Sequence, residues 1–149
     1  MKKTAFLLLL LVFIMSSCNK NNYGNTNIFS VTYTVSWEFE DPSYVTYVDV
    51  PEITQDVLDN GAIMVYMSND SGGWTALPCT LPMAASYAST YTPEFYKGYV
   101  KIVQTDTDLL TVDPGVMDFK VVVLTQKQLT AHPNLVLTDY SSVKEELNL

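Results

Sequence analysis

Few residues in this chain could do bond-making chemistry. His132 is the only histidine of the 149 residues, and Pro133 follows it. A Ser-His-Asp triad would have to use it, yet no G-x-S-x-G elbow is present. One histidine also excludes multi-histidine zinc and copper sites, and the expectation is a loop histidine. Cys79 sits between Pro78 and Thr80 in an apolar stretch. A nucleophilic thiolate needs a cation or base beside it, so Cys79 is expected to be a small buried hydrophobe. Glu38 and Glu40 share one face of a strand at a spacing of about 7 Å, within the range between glycosidase carboxylates. Such enzymes set that pair across a cleft from different elements, and these two acids are expected to face water. Asp106, Asp108 and Asp113, with Asp118 nearby, are the one weak metal candidate, for calcium. The EF-hand spacing is not met, since Leu110 stands at the third ligand position; the expectation is a solvated acidic loop. No cofactor is implied, and the acid–base machinery of an enzyme is missing.

What remains is aromatic. The chain has 10 tyrosines and 2 tryptophans. Tyr33 and Trp37 read as core, whereas Tyr47, Tyr66, Trp74 and Tyr96 are candidates for an exposed platform that stacks on a sugar or a partner protein. A β-sheet is rich in tyrosine for packing reasons alone, which is the plainer reading of the same residues.

The first 27 residues bear on location. Lys2 and Lys3 precede an apolar run of 11 residues, Ala5 to Met15. A spanning helix needs roughly 20 apolar residues, so this run fits the h-region of a secretory signal instead. Ser16 and Ser17 then precede Cys18, an arrangement that resembles the lipobox of bacterial lipoproteins, with Met15 where Leu is usual. That resemblance implies removal of residues 1–17 and a lipid on Cys18, which becomes the mature N-terminus and the link to the membrane. Residues 18–27 read as the lipidated cysteine and a polar, Asn-rich tether, nine residues of which reach at most about 30 Å. Cleavage would leave 6 lysines against 16 acids, a net charge of −10. With no arginine, that balance excludes a nucleic-acid binder and a cationic lipid-binding surface.

Residues 28–149 read as a single domain. Ile28 to Phe39 alternates strictly, with Phe29, Val31, Tyr33, Val35, Trp37 and Phe39 on one parity. This predicts one long strand, paired as a hairpin with Tyr44 to Val50 across the Asp41-Pro42-Ser43 turn. Thr54 caps a short helix near 53–60, and Gly61 is expected to stop it with positive φ. Ala62 to Met67 and Trp74 to Cys79 form a hairpin over Asn69 to Gly73, with Pro78 and Pro82 at a sheet edge. Ser86 to Thr92 and Phe95 to Gln104 are further strands, with Gly98 at a bulge or a close approach. Phe119 to Thr125 is apolar on both parities after Lys120, as in a strand buried on both faces. Residues 127–134 are ambiguous, and Ser142 with Glu145 makes a capping box for a C-terminal helix carrying Tyr140, Val143 and Leu147 on one face. Seven or so short strands without βαβ alternation predict an all-β fold, an antiparallel β-sandwich, Ig-like or similar.

The run from Pro51 to Gly61 with Ile63 to Tyr66, together with Phe119 to Leu124 after Pro114-Gly115, resembles a group of small Bacteroidota lipoproteins and secreted proteins of uncharacterised function. The resemblance covers most of residues 29–125 and departs at Lys120 and Thr125, where Arg and Pro are expected. It implies an all-β fold and an envelope location, and carries no catalytic residues to transfer. No acid stands in the four residues after Cys18; in such lipoproteins an acidic run there resembles a surface-export signal, so the periplasmic leaflet of the outer membrane is expected. The function expected is a non-enzymatic binding or accessory module with a protein or glycan ligand. The alternative is a structural or assembly component docked to another outer-membrane protein, with a hydrolase as a distant third.

Overall fold

The computed structural model describes residues 28–84, 87–108 and 112–149. The apolar leader, Cys18 and the tether lie outside the described residues. No helix among the described residues is long and apolar enough to cross a membrane.

The described chain forms two antiparallel sheets, as the strand pattern predicts. Nine strands run in the order β1 (Phe29–Val35), β2 (Glu38–Glu40), β3 (Ser43–Asp49), β4 (Ala62–Ser68), β5 (Trp74–Ala76), β6 (Cys79–Ala84), β7 (Tyr87–Tyr96), β8 (Tyr99–Asp106) and β9 (Met117–Leu124). The first sheet has the order β1-β9-β4-β5 and the second β2-β3-β8-β7-β6. Three short helices complete the fold: α1 (Gln55–Asn60), α2 (Gln126–Ala131) and α3 (Tyr140–Leu147).

The long alternating segment does not form one strand. The chain leaves the first sheet after Val35 and enters the second at Glu38. Trp37 sits in the crossing, its ring 5.9 Å from Tyr91 of the second sheet and 5.8 Å from Phe119 of the first. Alternation reads through the crossing because Phe29, Tyr33 and Val35 of β1 and then Trp37 turn toward the inter-sheet core, although Val31 on the same parity is 38% exposed. The parity fails at the end: Phe39 is 56% exposed, since β2 is the free edge of its sheet. The segment from Trp74 to Cys79 likewise divides, with β5 ending the first sheet and β6 the second. Pro82 therefore lies on an edge strand, as its missing N–H requires.

β9 is the centre of the first sheet. Phe119, Val121 and Val123 face the core between the sheets, while Val122 and Leu124 face outward. That outward side is covered by helix residues Leu129, Val143 and Leu147. The ambiguous stretch after β9 is α2, nucleated by a capping box in which the Thr125 side chain accepts from Gln128 N–H and Gln128 reaches back to the Thr125 backbone. The C-terminal helix starts earlier than the Ser142 capping box predicts: Asp139 is its N-cap, accepting from Ser141 N–H at 2.9 Å.

Two glycines have reasons other than those the sequence suggests. Gly98 marks neither a bulge nor a close approach, since an added Cβ would meet nothing within 4 Å; it closes the two-residue turn between β7 and β8 at φ 87°, next to the Tyr96–Tyr99 pair. Gly61 does not take positive φ. It is required because an added Cβ would lie 2.4 Å from the Leu124 carbonyl oxygen and 2.9 Å from that of Val57. Both obstacles are backbone and cannot swing away. Gly61→Ala should therefore destabilise the domain by about 1–3 kcal/mol, as overpacking does, measured as a lowered denaturation midpoint at unchanged m-value. An unchanged midpoint would mean that α1 and β9 are not packed this closely.

Candidate functional site

The two outer faces of the sandwich differ in chemistry. On the second sheet the register places Val45, Tyr47 and Asp49 of β3 beside Val103, Lys101 and Tyr99 of β8, and the Ser43 and Thr105 hydroxyls lie 3.4 Å apart. β7 adds Thr90, Thr92, Glu94 and Tyr96 to the same face. Their alternating neighbours, including Val48, Val100, Ile102 and Tyr91, form the core. Helix α1 packs into the inter-sheet core through Val57 and Leu58, α2 and α3 cover the first sheet, and on this outer face the rings stand in solvent: Tyr47 is 49% and Tyr96 41% exposed.

Tyr96 and Tyr99 stack at 4.8 Å with planes 10° apart, and Tyr47 lies 6.2 Å from Tyr99. Charged side chains fix the ring orientations. Tyr47 donates from Oη to Glu40 Oε1 at 2.9 Å, and Lys101 Nζ meets Glu40 Oε2 at 3.0 Å while lying 5.5 Å from the Tyr47 ring centre. Tyr96 Oη donates to Glu94 at 3.0 Å. The Lys101 hydrogen bond, then that of Tyr47, holds the Glu40 carboxyl below the usual carboxylate range. The Glu40 contact pushes the Lys101 ammonium up, and Glu94 pushes the Tyr96 phenol up. All of these groups are wet, so the pairs orient side chains and add little stability. Beside Tyr47 a cleft of about 470 Å³ opens between β1 and β3, lined by Tyr33, Thr34, Glu38, Thr46, Tyr47 and Asp49.

The other two aromatic candidates lie on the first sheet, under the helices. Tyr66 is fully buried, and its Oη donates to the Leu137 carbonyl at 2.6 Å. It is not a surface ligand contact. Its parity faces outward, but α3 covers it, with Tyr140 at 5.1 Å. Burial, with lesser effects of Tyr140 and Asp139, pushes its phenol up to about 12. Trp74 is half-buried, 5.9 Å from Tyr140, and both rings flank Lys120. The four candidates thus divide into two clusters on opposite outer faces. Tyr99 is one of several strand tyrosines that the sequence leaves unassigned between core and surface, whereas Lys101, Lys120 and Tyr140, which complete those clusters, do not stand out as site residues; only the cross-strand register and the helix packing single them out.

The other candidates do not converge. Asp106 is not in a solvated loop: it ends β8, 2% exposed. Its Oδ1 accepts from Ser89 at 2.5 Å and Gln104 at 2.7 Å, and its Oδ2 from Val112 N–H at 3.2 Å. Asp113 accepts from Gly115 N–H at 2.8 Å, and Asp108 is exposed. Among the described residues no three His, Cys, Asp or Glu side chains are grouped to hold a metal ion. Cys79 packs against the inter-sheet core from β6, and burial pushes its thiol up, away from the thiolate. His132 follows α2 on the far side of the first sheet, its Nδ1 3.2 Å from Glu146. Thiol and imidazole therefore occupy different layers. Glu38 is exposed on edge strand β2. No protein-family description, curated protein or solved structure matches the chain.

The buried Tyr66 phenol gives a signed expectation. Its folded-state value lies above the ordinary 10, so folding favours the neutral form; the stability it contributes is complete below pH 10 and is lost as pH rises towards 12. Tyr66→Phe should lower stability at pH 7 by about 1–3 kcal/mol, because the Leu137 carbonyl loses its partner. It should also flatten the fall of stability between pH 10 and 12. Denaturant titrations of both chains across that range check this; identical alkaline slopes would assign the fall to other groups.

Proposed function

We propose that this chain is a non-enzymatic binding module of the cell envelope, tethered by lipid on Cys18 and presenting the outer face of its second sheet to a glycan. The observation that carries the reading is the uncovered ring cluster of Tyr47, Tyr96 and Tyr99 with carboxylates and an ammonium hydrogen-bonded at its rim. A sugar ring presents C–H groups on one face and hydroxyls around its edge. Phenol faces suit the first, and Glu40, Glu94 and Lys101 suit the second. The cleft bordered by Tyr47 adds concave surface with hydroxyl and carboxylate walls. The resemblance to small Bacteroidota lipoproteins supports the same location, on the periplasmic side of the outer membrane.

A second reading, docking to an outer-membrane protein, is favoured by one feature: Phe39, 56% exposed on the free edge strand β2. An edge strand with an exposed ring suits strand addition by a partner.

A glycan array probed with the mature chain should return saccharide ligands. Tyr47→Ala and Tyr96→Ala should each weaken them by about tenfold, the scale of one lost aromatic contact, with the melting temperature nearly unchanged. An array without ligands, together with one dominant cross-linked protein in intact cells, would replace the glycan reading by the docking one. Cys18→Ala should move the protein from the membrane to the soluble fraction; continued membrane fractionation would overturn the lipid tether.

A further inference from the structure

Lys120 is the only charged residue in the run Phe119 to Leu124. β9 sets it on the outer face of the first sheet, opposite Tyr66 of β4 and Thr32 of β1. Its Nζ stands 4.4 Å from the Trp74 ring centre and 4.6 Å from that of Tyr140, and it donates to Tyr140 Oη at 2.8 Å. Two aromatic faces attract an ammonium without neutralising it. An ammonium has three donors, and the Tyr140 hydroxyl takes one. No carboxylate of a described residue lies within 4 Å of Lys120 or of Lys144; the ion pairs among the described residues are Lys101–Glu40 and His132–Glu146.

Beside Lys120 a cavity of about 910 Å³ opens between the β4–β5 turn and α3. Residues 28–149 contain five lysines, and two of them, Lys120 and Lys144, line this one cavity. Ser141 and the backbone at Gly72 and Gly73 add polar wall, and Glu145 is the one acidic side chain on it. Both lysines thus lack a carboxylate partner within 4 Å and face one concave place, Lys120 half-buried and Lys144 exposed, although Glu145 and the C-terminal Leu149 also line it. The volume is that of a small-molecule pocket and exceeds what a bare ion fills.

We propose that this cavity binds a small molecule through an oxyanion group, a carboxylate, sulfate or phosphate, seated between Lys120 and Lys144. Lys120 is held by its two rings and Tyr140, so its remaining donors are oriented before the ligand arrives. Lys144, on the exposed side of α3, adds the second charge. The site is separate from the tyrosine face of the second sheet and does not depend on it.

The test is a titration of the 15N-labelled full chain in detergent with acetate, sulfate and inorganic phosphate, with chloride as control at constant ionic strength. The readout is the indole N–H signal of Trp74, assigned by its loss in Trp74→Phe; the buried Trp37 reports on the fold. The expected result is a saturable Trp74 shift with at least one oxyanion, absent with chloride, while Trp37 stays in place. The arm that saturates names the group. Lys120→Met should weaken that binding by about tenfold or more, as loss of a charge-assisted contact does. Lys144→Gln should weaken it by a smaller factor, and Lys127→Gln should leave it unchanged. Shifts that do not saturate, that chloride reproduces, or that survive both Lys120→Met and Lys144→Gln overturn the site. If Lys120→Met does not fold, Lys144→Gln decides: unchanged affinity overturns the proposal.

Discussion

The structure depends on β9 being buried on both faces. Val121, Val122, Val123 and Leu124 run consecutively, all at 5% exposure or less. A strand has two faces, so four consecutive apolar residues require cover on both. One face is satisfied by the second sheet. The other can only be satisfied by something laid across the outside of the first sheet, and the residues after Leu124 supply it. α2 follows β9 at once, and α3 closes over Tyr66, Val122 and Leu124. Each buried Val or Leu contributes on the order of 1.5–3 kcal/mol, so leaving the outer face open would cost a large share of a domain's stability. The same logic explains why the second sheet needs no such cover. Its outward positions are mostly hydroxyl, charged and phenolic, with the Val45–Val103 pair as the apolar exception.

Most of this was legible because burial and parity are local. The two-sided run, the Thr54 cap, the Asn69–Gly73 hairpin turn and the apolar stripe of α3 all follow from neighbouring residues. Sheet membership is not local. Ser36 and Trp37 keep the alternation of their flanks while the chain changes sheets, so a pattern of period two reads straight through a crossing. The contacts that fix the crossing, Trp37 on Tyr91 and Phe119, join residues more than fifty positions apart. The short helix α2 was hidden for a different reason. Its sequence, Gln126 to Ala131, has only Leu129 packing against the core cluster, and its start rests on the Thr125–Gln128 capping box.

The same distinction governs the candidate residues. Tyr47 and Tyr66 are both outward-facing tyrosines on strands, and no local feature separates them. α3 separates them, by covering one sheet and not the other. Asp106 looked like part of an acidic loop because acids cluster around it in sequence. Its register with Ser89 places it at the buried end of β8 instead, where three hydrogen bonds replace the water it has lost. A carboxylate so engaged is a structural group, whereas Glu40 and Glu94 hold their partners in solvent.

That difference in solvation decides what each aromatic cluster can do. Around Tyr47 and Tyr96 every polar contact is exposed, and exposed pairs exchange with water at little cost. Ligand hydroxyls can replace Glu40–Tyr47 or Glu94–Tyr96 hydrogen bonds without leaving a buried group unpaired. Around Tyr66 the opposite holds: its hydroxyl is enclosed, and any ligand reaching it would have to lift α3. Lys120 stands between these extremes. Its rings and the Tyr140 hydroxyl remove part of its hydration, yet none of them carries a full negative charge. An ammonium in that position gains more from an incoming anion than one already paired, as Lys101 is with Glu40. On the two proposals, the free face of one sheet and the cavity on the other would therefore take different ligands: a neutral, hydroxyl-rich one for the tyrosines and an anionic one for the half-buried lysine.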